Sequence, residues 1–146
     1  MIDGVSFTNL KVIDGADGAV MQGLKRSEST YSGFGEAYFS TVGKHRVKAW
    51  RRHHEMVMNL VVPVGRVGFV LIDTRDDSPT LNGREIYILS PDNYFRLTIP
   101  PLIWFGFKGL NDGINMVMNI ASIEHNPVER DSIPASKFYF DWSTMT

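Results

Sequence analysis

The 146-residue chain is 43% hydrophobic and 21% charged with a formal net charge of −1, the balance of a globular domain rather than a disordered one. Near-neutral charge argues against a nucleic-acid binder that works by phosphate neutralisation, and the lack of cysteine excludes disulfides and thiolate metal sites. No apolar run approaches the ~18 residues of a membrane span, and the N-terminus lacks a basic segment followed by an apolar one, so a cytoplasmic protein without membrane contact is expected.

Residues 1–35 show no sustained period and are expected to form an extended N-terminal arm, ordered against another part of the fold or a second subunit. A β core is expected over 36–126 and a C-terminal segment over 127–146. Alternating apolar positions around Tyr38, Val47 and Trp50 predict strands over 36–42 and 45–53. The stretch 58–75 reads as two apolar runs joined near Pro63-Val64-Gly65. Charges, Ser-Pro and Asn-Gly over 76–84 signal a hairpin, followed by a strand over 85–90 and another through Leu97 and Ile99. "IPPLIWFGFKGL" (99–110) then poses a choice: a strand entering a core, or the lip of a pocket that grips something flat. A further apolar run covers 114–122, and 127–134 reads as a short turn between prolines. Strands of this length between turn signals predict one all-β domain, an antiparallel sandwich or barrel.

Between Lys44 and His54 stand five basic residues and three histidines, a positive patch in a neutral protein that suits an anionic ligand. Lys48 and Arg51 are candidates for holding a diphosphate or an enolate, since guanidinium binds phosphate in a planar fork. His53 and His54 are candidate bases because imidazole titrates near ~6.5. On a regular strand they point to opposite faces, with His53 sharing the face of Arg51 and Lys48 lying on the other. The competing reading is a solvated basic strand with idle imidazoles. Trp104 and Phe105 suit a pocket wall that stacks on a base or sugar, or equally a core. Asn59 and Asn119 interrupt apolar strands and need partners if buried, a ligand being one possibility. Tyr38 and Tyr94 are hydroxyl donors or packing residues, and Asp73 with Arg75 reads as a structural pair.

Several pieces resemble, in order, the dTDP-4-dehydrorhamnose 3,5-epimerase family, from about Val47 to Arg130. "VGRVGFVLIDTRDDSPTLNG" is similar to its Gly-x-Val strand, Asp-x-Arg end and Ser-Pro-Thr turn. "LSPDNYFRLTIPP" is similar to the stretch leading to its Ile-Pro-Pro, "FGF" follows, and "HNPVER" resembles its Pro-x-x-Glu. The resemblance implies an antiparallel jelly roll of cupin type, a homodimer, and a nucleotide-linked sugar as ligand. It also implies chemistry without metal or other cofactor. In that family a histidine held by an aspartate removes a proton, a lysine stabilises the enolate and a tyrosine returns the proton.

This chain departs from that pattern. Direct alignment puts Arg51 at the base's position with His53 two residues later, and Met58 at the lysine's. Phe105 replaces the histidine before Gly-Phe, and Leu102 replaces the glycine of the preceding turn. Glu124 and His125 stand where the family has tyrosines, and Asp131 is the nearest counterpart of the aspartate. The candidate set is therefore His53, Arg51 and Asp131 for catalysis, and Lys48, Asn59, Trp104, Phe105, Asn119 and His125 for binding. Two functions compete: an epimerase or isomerase of a 4-keto deoxysugar nucleotide in cell-surface polysaccharide synthesis, and a non-catalytic sugar-nucleotide binder or regulator. His53 bonded to a carboxylate in a polar pocket favours the first. A pocket filled by Met58, Phe105 and Leu102 favours the second.

Overall fold

The computed structural model describes all 146 residues. Twelve strands form: β1 (Ser6–Asn9), β2 (Val12–Gly15), β3 (Gly18–Met21), β4 (Glu36–Thr41), β5 (Val47–His53), β6 (Met58–Val64), β7 (Val67–Asp73), β8 (Arg84–Leu89), β9 (Phe95–Ile99), β10 (Ile103–Gly109), β11 (Met116–Ala121) and β12 (Arg130–Ser132). The only helical elements are single 3-10 turns, so no helix is long and apolar enough to cross a membrane. Two five-stranded antiparallel sheets run β1-β9-β6-β11-β4 and β12-β5-β10-β7-β8, an all-β jelly roll of cupin type. Strands β2 and β3 pair apart from both as a hairpin.

The pleat settles what "IPPLIWFGFKGL" does. It is strand β10, at the centre of the second sheet, and its side chains divide between two cores. Ile103, Phe105 and Phe107 face inward with Val67, Phe69 and Leu71 of β7, against Leu60, Leu97 and Ile99 of the other sheet. Trp104 faces outward with Val70, Ile72 and Trp50. That outer face is covered by the C-terminal segment, which lays Phe138, Phe140, Trp142 and Met145 over it. Strand β7 is thus buried on both faces, which is why "VGFVLID" is nearly all apolar rather than alternating. Polar anchors fix the segment: Trp50 Nε1 donates to Ala135 O at 3.1 Å, and Lys108 Nζ donates to Trp142 O at 2.7 Å and Met145 O at 3.1 Å.

The first 35 residues have more structure than an unpaired arm. Strand β1 pairs with β9 at the edge of the first sheet. Residues 22–31 are fastened by fully buried Arg96, whose guanidinium donates to Gly23 O at 2.7 Å and Thr30 Oγ1 at 2.8 Å and pairs with Glu28. The 76–83 turn closes around Asp73, which accepts from Arg75, Ser78 and Thr80 and is fully buried.

Strand β5 departs from simple alternation. Phe105 pairs with Arg51 but Phe107 pairs with Lys48, so Ala49 and Trp50 together oppose Gly106. Such a bulge leaves one residue unmatched and reverses the facing of everything beyond it. Gly106 is required here, because a Cβ would lie 2.7 Å from that of Ala49.

Candidate active site

A cavity of about 370 Å³ opens between the two sheets, within the range of small-molecule sites. Apolar side chains, among them Met58, Leu60, Phe105 and Phe107, line part of it; its polar groups include Tyr38, Lys48, Arg51, Asn119, His125 and Arg130, with Glu36 as the one carboxylate. The β5 bulge corrects one expectation. Lys48 does not lie on the face opposite Arg51 and His53; the extra residue turns all three toward the cavity.

His53, at the end of β5, is 5% exposed and stacks against Phe105 with ring centroids 6.0 Å apart. Its Nδ1 is hydrogen-bonded to Glu129 Oε1. Glu129 ends the 3-10 turn Pro127–Glu129 and is also buried; its second oxygen accepts from the backbone N–H of Glu55 at 3.2 Å and Met56 at 3.3 Å. Three donors on one carboxylate hold Glu129 ionised, below the usual carboxylate range despite its burial. Burial lowers the His53 pKa below the ordinary imidazole value, with Glu129 pulling against it and the neighbouring Arg130 and His125 adding to it. The result is a neutral imidazole at neutral pH, braced by an anion and able to accept a proton.

The carboxylate beside His53 is therefore not Asp131. On β12 successive side chains point to opposite faces, so Arg130 enters the cavity and Asp131 points away. Asp131 accepts from Arg52 Nη2 at 2.6 Å and lies 3.1 Å from His54 Nε2. His54 is thereby excluded from the cavity along with Asp131. Sequence reasoning missed Glu129 and Arg130, although both stood in "HNPVER": a glutamate two residues after a turn-forming proline, followed by a short strand.

Two further expectations are corrected by facing. Trp104 is not a wall of the cavity; it lies on the outer side of the second sheet, against Phe138 and under the Arg52 guanidinium, whose carbon is 4.6 Å from the ring centroid. Asn59 points away from the cavity, accepting from Thr98 Oγ1 at 2.7 Å and donating to Thr30 O at 3.4 Å. Phe105 and Asn119 do line the cavity, and His125 stands exposed at its rim. Tyr94 is bonded to Gln22 O on the outside of the first sheet, whereas Tyr38 faces in. Leu102 lies outside the cavity as well.

Arg51 and Arg130 carry no ion pair; burial and then the neighbouring Arg130 charge lower the Arg51 pKa. Two unpaired guanidiniums with Lys48 nearby form a site that an anion would relieve. No three histidine or carboxylate side chains converge as a metal-ligating group.

The same framework occurs in known proteins. A dTDP sugar isomerase from Desulfovibrio desulfuricans superposes with a TM-score of 0.92 at 38% identity, covering 97% of this chain and 92% of that one. A probable low-salt glycan biosynthesis epimerase of Haloferax volcanii is 30% identical over 112 residues, 73% of this chain and 72% of that protein. The chain belongs to the dTDP-sugar epimerase and isomerase family. A spore coat polysaccharide biosynthesis protein of Bacillus subtilis is 27% identical over 99% of this chain and 98% of its own length. A dTDP-4-dehydrorhamnose 3,5-epimerase from Sulfolobus tokodaii, at 23% identity and a TM-score of 0.84, shares the family fold. No protein-family model matches the chain.

Proposed function

We propose that this protein is a metal-independent enzyme that enolises a 4-keto deoxysugar carried on a nucleoside diphosphate, epimerising or isomerising it for a cell-surface polysaccharide. The observation that carries this reading is the buried His53–Glu129 pair in the wall of a cavity rimmed by Lys48, Arg51 and Arg130. A ketone acidifies the hydrogens on its neighbouring carbons, so a neutral imidazole suffices to remove one. The ketone itself supplies the acidity, so the reaction needs neither metal nor other cofactor. Met58 brings no charge to the cavity, and the enolate oxygen falls instead to Arg51 or Lys48, with Arg130 left for the diphosphate. Phe105 and Phe107 offer flat apolar surface to the sugar. The names of the relatives, a dTDP sugar isomerase and a glycan biosynthesis epimerase, support the substrate class.

The cavity is not plugged by Met58 and Phe105, which weighs against a binder that has lost its chemistry. A nucleotide-sugar enzyme of this kind would work in the cytoplasm, as a homodimer, without nucleic acid or membrane partners. The β2–β3 hairpin, with Ile13 53% and Val20 63% exposed, is the surface we assign to the second subunit.

The test is deuterium incorporation from solvent into dTDP-4-keto-6-deoxyglucose, followed by mass spectrometry, for wild type and His53→Ala. Exchange that disappears in the variant supports the reading. Binding without exchange in the wild type leaves the non-catalytic alternative.

A further inference from the structure

One charge in the cavity runs against the rest. Lys48, Arg51 and Arg130 suit an anion, yet Glu36, the first residue of β4, lines the same space as its one carboxylate. A carboxylate among cations is ordinarily taken up by one of them. Glu36 is not: no lysine, arginine or histidine side chain lies within ion-pair distance of it.

The local backbone fixes one of its oxygens and leaves the other. Gly35 lets the chain after β11 pass hard against the start of β4, where a Cβ would lie 2.0 Å from the Ile123 carbonyl carbon. That passage brings the backbone N–H of His125 onto Glu36 Oε1, at 2.5 Å. Oε1 is thereby occupied, and Oε2 has no protein donor. The strands give its place along the cavity. Lys48, near the start of β5, donates to Thr41 O, at the end of β4, at 2.8 Å. Those two strand ends meet, so the start of β4 and the end of β5 lie together at the other end of the cavity. Glu36 and His53 share that end, with His125 and Arg130 beside them. The carbon that His53 deprotonates must lie there, so the sugar ring, not the nucleoside, meets Glu36 Oε2.

An ionised carboxylate accepts hydrogen bonds and donates none, so its partner on the sugar must be a donor. On a 4-keto-6-deoxy sugar the nucleotide takes C1, the ketone takes C4, and C5 carries only a methyl group. The donors left on the ring are the hydroxyl groups at C2 and C3, or amino groups in their place. We propose that Glu36 selects the sugar: its free oxygen accepts a hydrogen bond from the hydroxyl or amino group at C2 or C3. This rests on the nucleotide-sugar reading above. An amino group, charged at neutral pH, brings an ion pair as well as a hydrogen bond, whereas a sugar with no donor at that carbon leaves the carboxylate covered and unpartnered. The selection acts on binding, and no proton changes hands in it.

The experiment is calorimetry on the full chain with dTDP-glucose and with analogues whose C2 or C3 hydroxyl is replaced by hydrogen or by an amino group. Each affinity is taken relative to dTDP in the same protein. None of these sugars carries a ketone, so binding is read apart from turnover. In wild type, removing the hydroxyl at one of the two carbons is expected to weaken binding by about ten- to hundredfold, the usual worth of a hydrogen bond to a charged group. An amino group at that carbon should bind at least as tightly as the hydroxyl. Glu36→Gln keeps an oxygen for the His125 N–H and turns its NH₂ toward the sugar, so a donor stands where an acceptor was. In that variant the same deletion should cost less than about threefold, and the amino analogue should bind about tenfold more weakly than dTDP-glucose. Both deletions within about threefold of dTDP-glucose in wild type would overturn the assignment, and so would an equal loss in wild type and Glu36→Gln, which gives the selection to another residue. A wild type that binds neither dTDP nor dTDP-glucose overturns the nucleotide-sugar reading first, and this assignment with it.

Discussion

The imidazole of His53 is pulled in two directions. Burial and the neighbouring Arg130 and His125 disfavour its protonation, and the Glu129 carboxylate favours it. Replacing Glu129 with Gln removes the one influence that raises basicity while keeping the shape. The His53 pKa should then fall further, and the acid limb of the kcat/KM profile, already below pH ~6.5 in the wild type, should move to still lower pH. Turnover at neutral pH should drop by about 10²-fold or more, because a weaker base faces the same carbon acid. For stability the sign is set by the lowered native pKa. Below pH ~6.5 the unfolded chain binds this proton more readily, so His53 costs native stability as pH falls from there toward its native pKa. Asp73 shows the carboxylate counterpart. Arg75 and then the hydroxyls of Ser78 and Thr80 hold it far below the usual range, against the effect of burial. Its contribution is present above the unfolded pKa of ~3.9 and is lost as pH falls toward the native value. Asp73→Ala should destabilise the protein by about 3 kcal/mol in urea unfolding, and should flatten the dependence of stability on pH below ~4. His53 was legible in the sequence as a residue type near neutral pKa within a basic run. Its partner was not, because Glu129 and Asp131 are two residues apart and only the geometry of the turn before β12 separates their fates.

At the scale of elements, the strands could be read from alternation and turn residues, and the bulge in β5 could not. "VKAWRRH" looks like an ordinary period of two, which assigns Lys48 and Arg51 to opposite faces. What breaks the period is a partner with no side chain: Gly106 on β10 lets Ala49 and Trp50 crowd into one register position. The facing of Trp104 escaped notice for a related reason. Aromatic residues at alternate positions look alike in sequence, and only the C-terminal cover explains why both faces of β10 are apolar. The bulge therefore makes a prediction of its own. Gly106→Ala drives a Cβ to 2.7 Å from Ala49 and 3.1 Å from the Trp50 ring, and neither neighbour has a flexible end to yield. The strand must shift, at a cost of about 1–3 kcal/mol, and it carries Lys48 and Arg51 with it. Thermal melting should show the lost stability. Calorimetry with dTDP should show weaker binding, whereas Trp104→Phe, on the far side of the same strand, should bind the nucleotide as wild type does.

The whole molecule is covered unevenly. One sheet has its outer face sealed by the C-terminal segment, held by Lys108 and Trp50, and part of the other is closed by the strap that Arg96 fastens. The β2–β3 hairpin has no such cover. It stands apart from both sheets, with Ile13, Val20 and Val12 among the exposed large hydrophobics. A two-stranded ribbon by itself is marginally stable in water and needs another surface to pack on. Within one chain Met21 finds such a surface against Leu10, Val61 and Tyr94, but Val12, Ile13 and Val20 stay exposed, and a second copy placed by a two-fold axis would bring the same hairpin and an identical complement to it. Light scattering should give the mass of two chains at micromolar concentration. Val20→Asp with Ile13→Asp puts charges where apolar contact is expected, so the mass should fall to that of one chain while the far-ultraviolet spectrum keeps its β signature. A wild type that runs as one chain at every concentration would leave the hairpin without the partner proposed here. His53 and Glu129 lie in the same chain, so the monomeric variant is expected still to exchange solvent deuterium into the sugar.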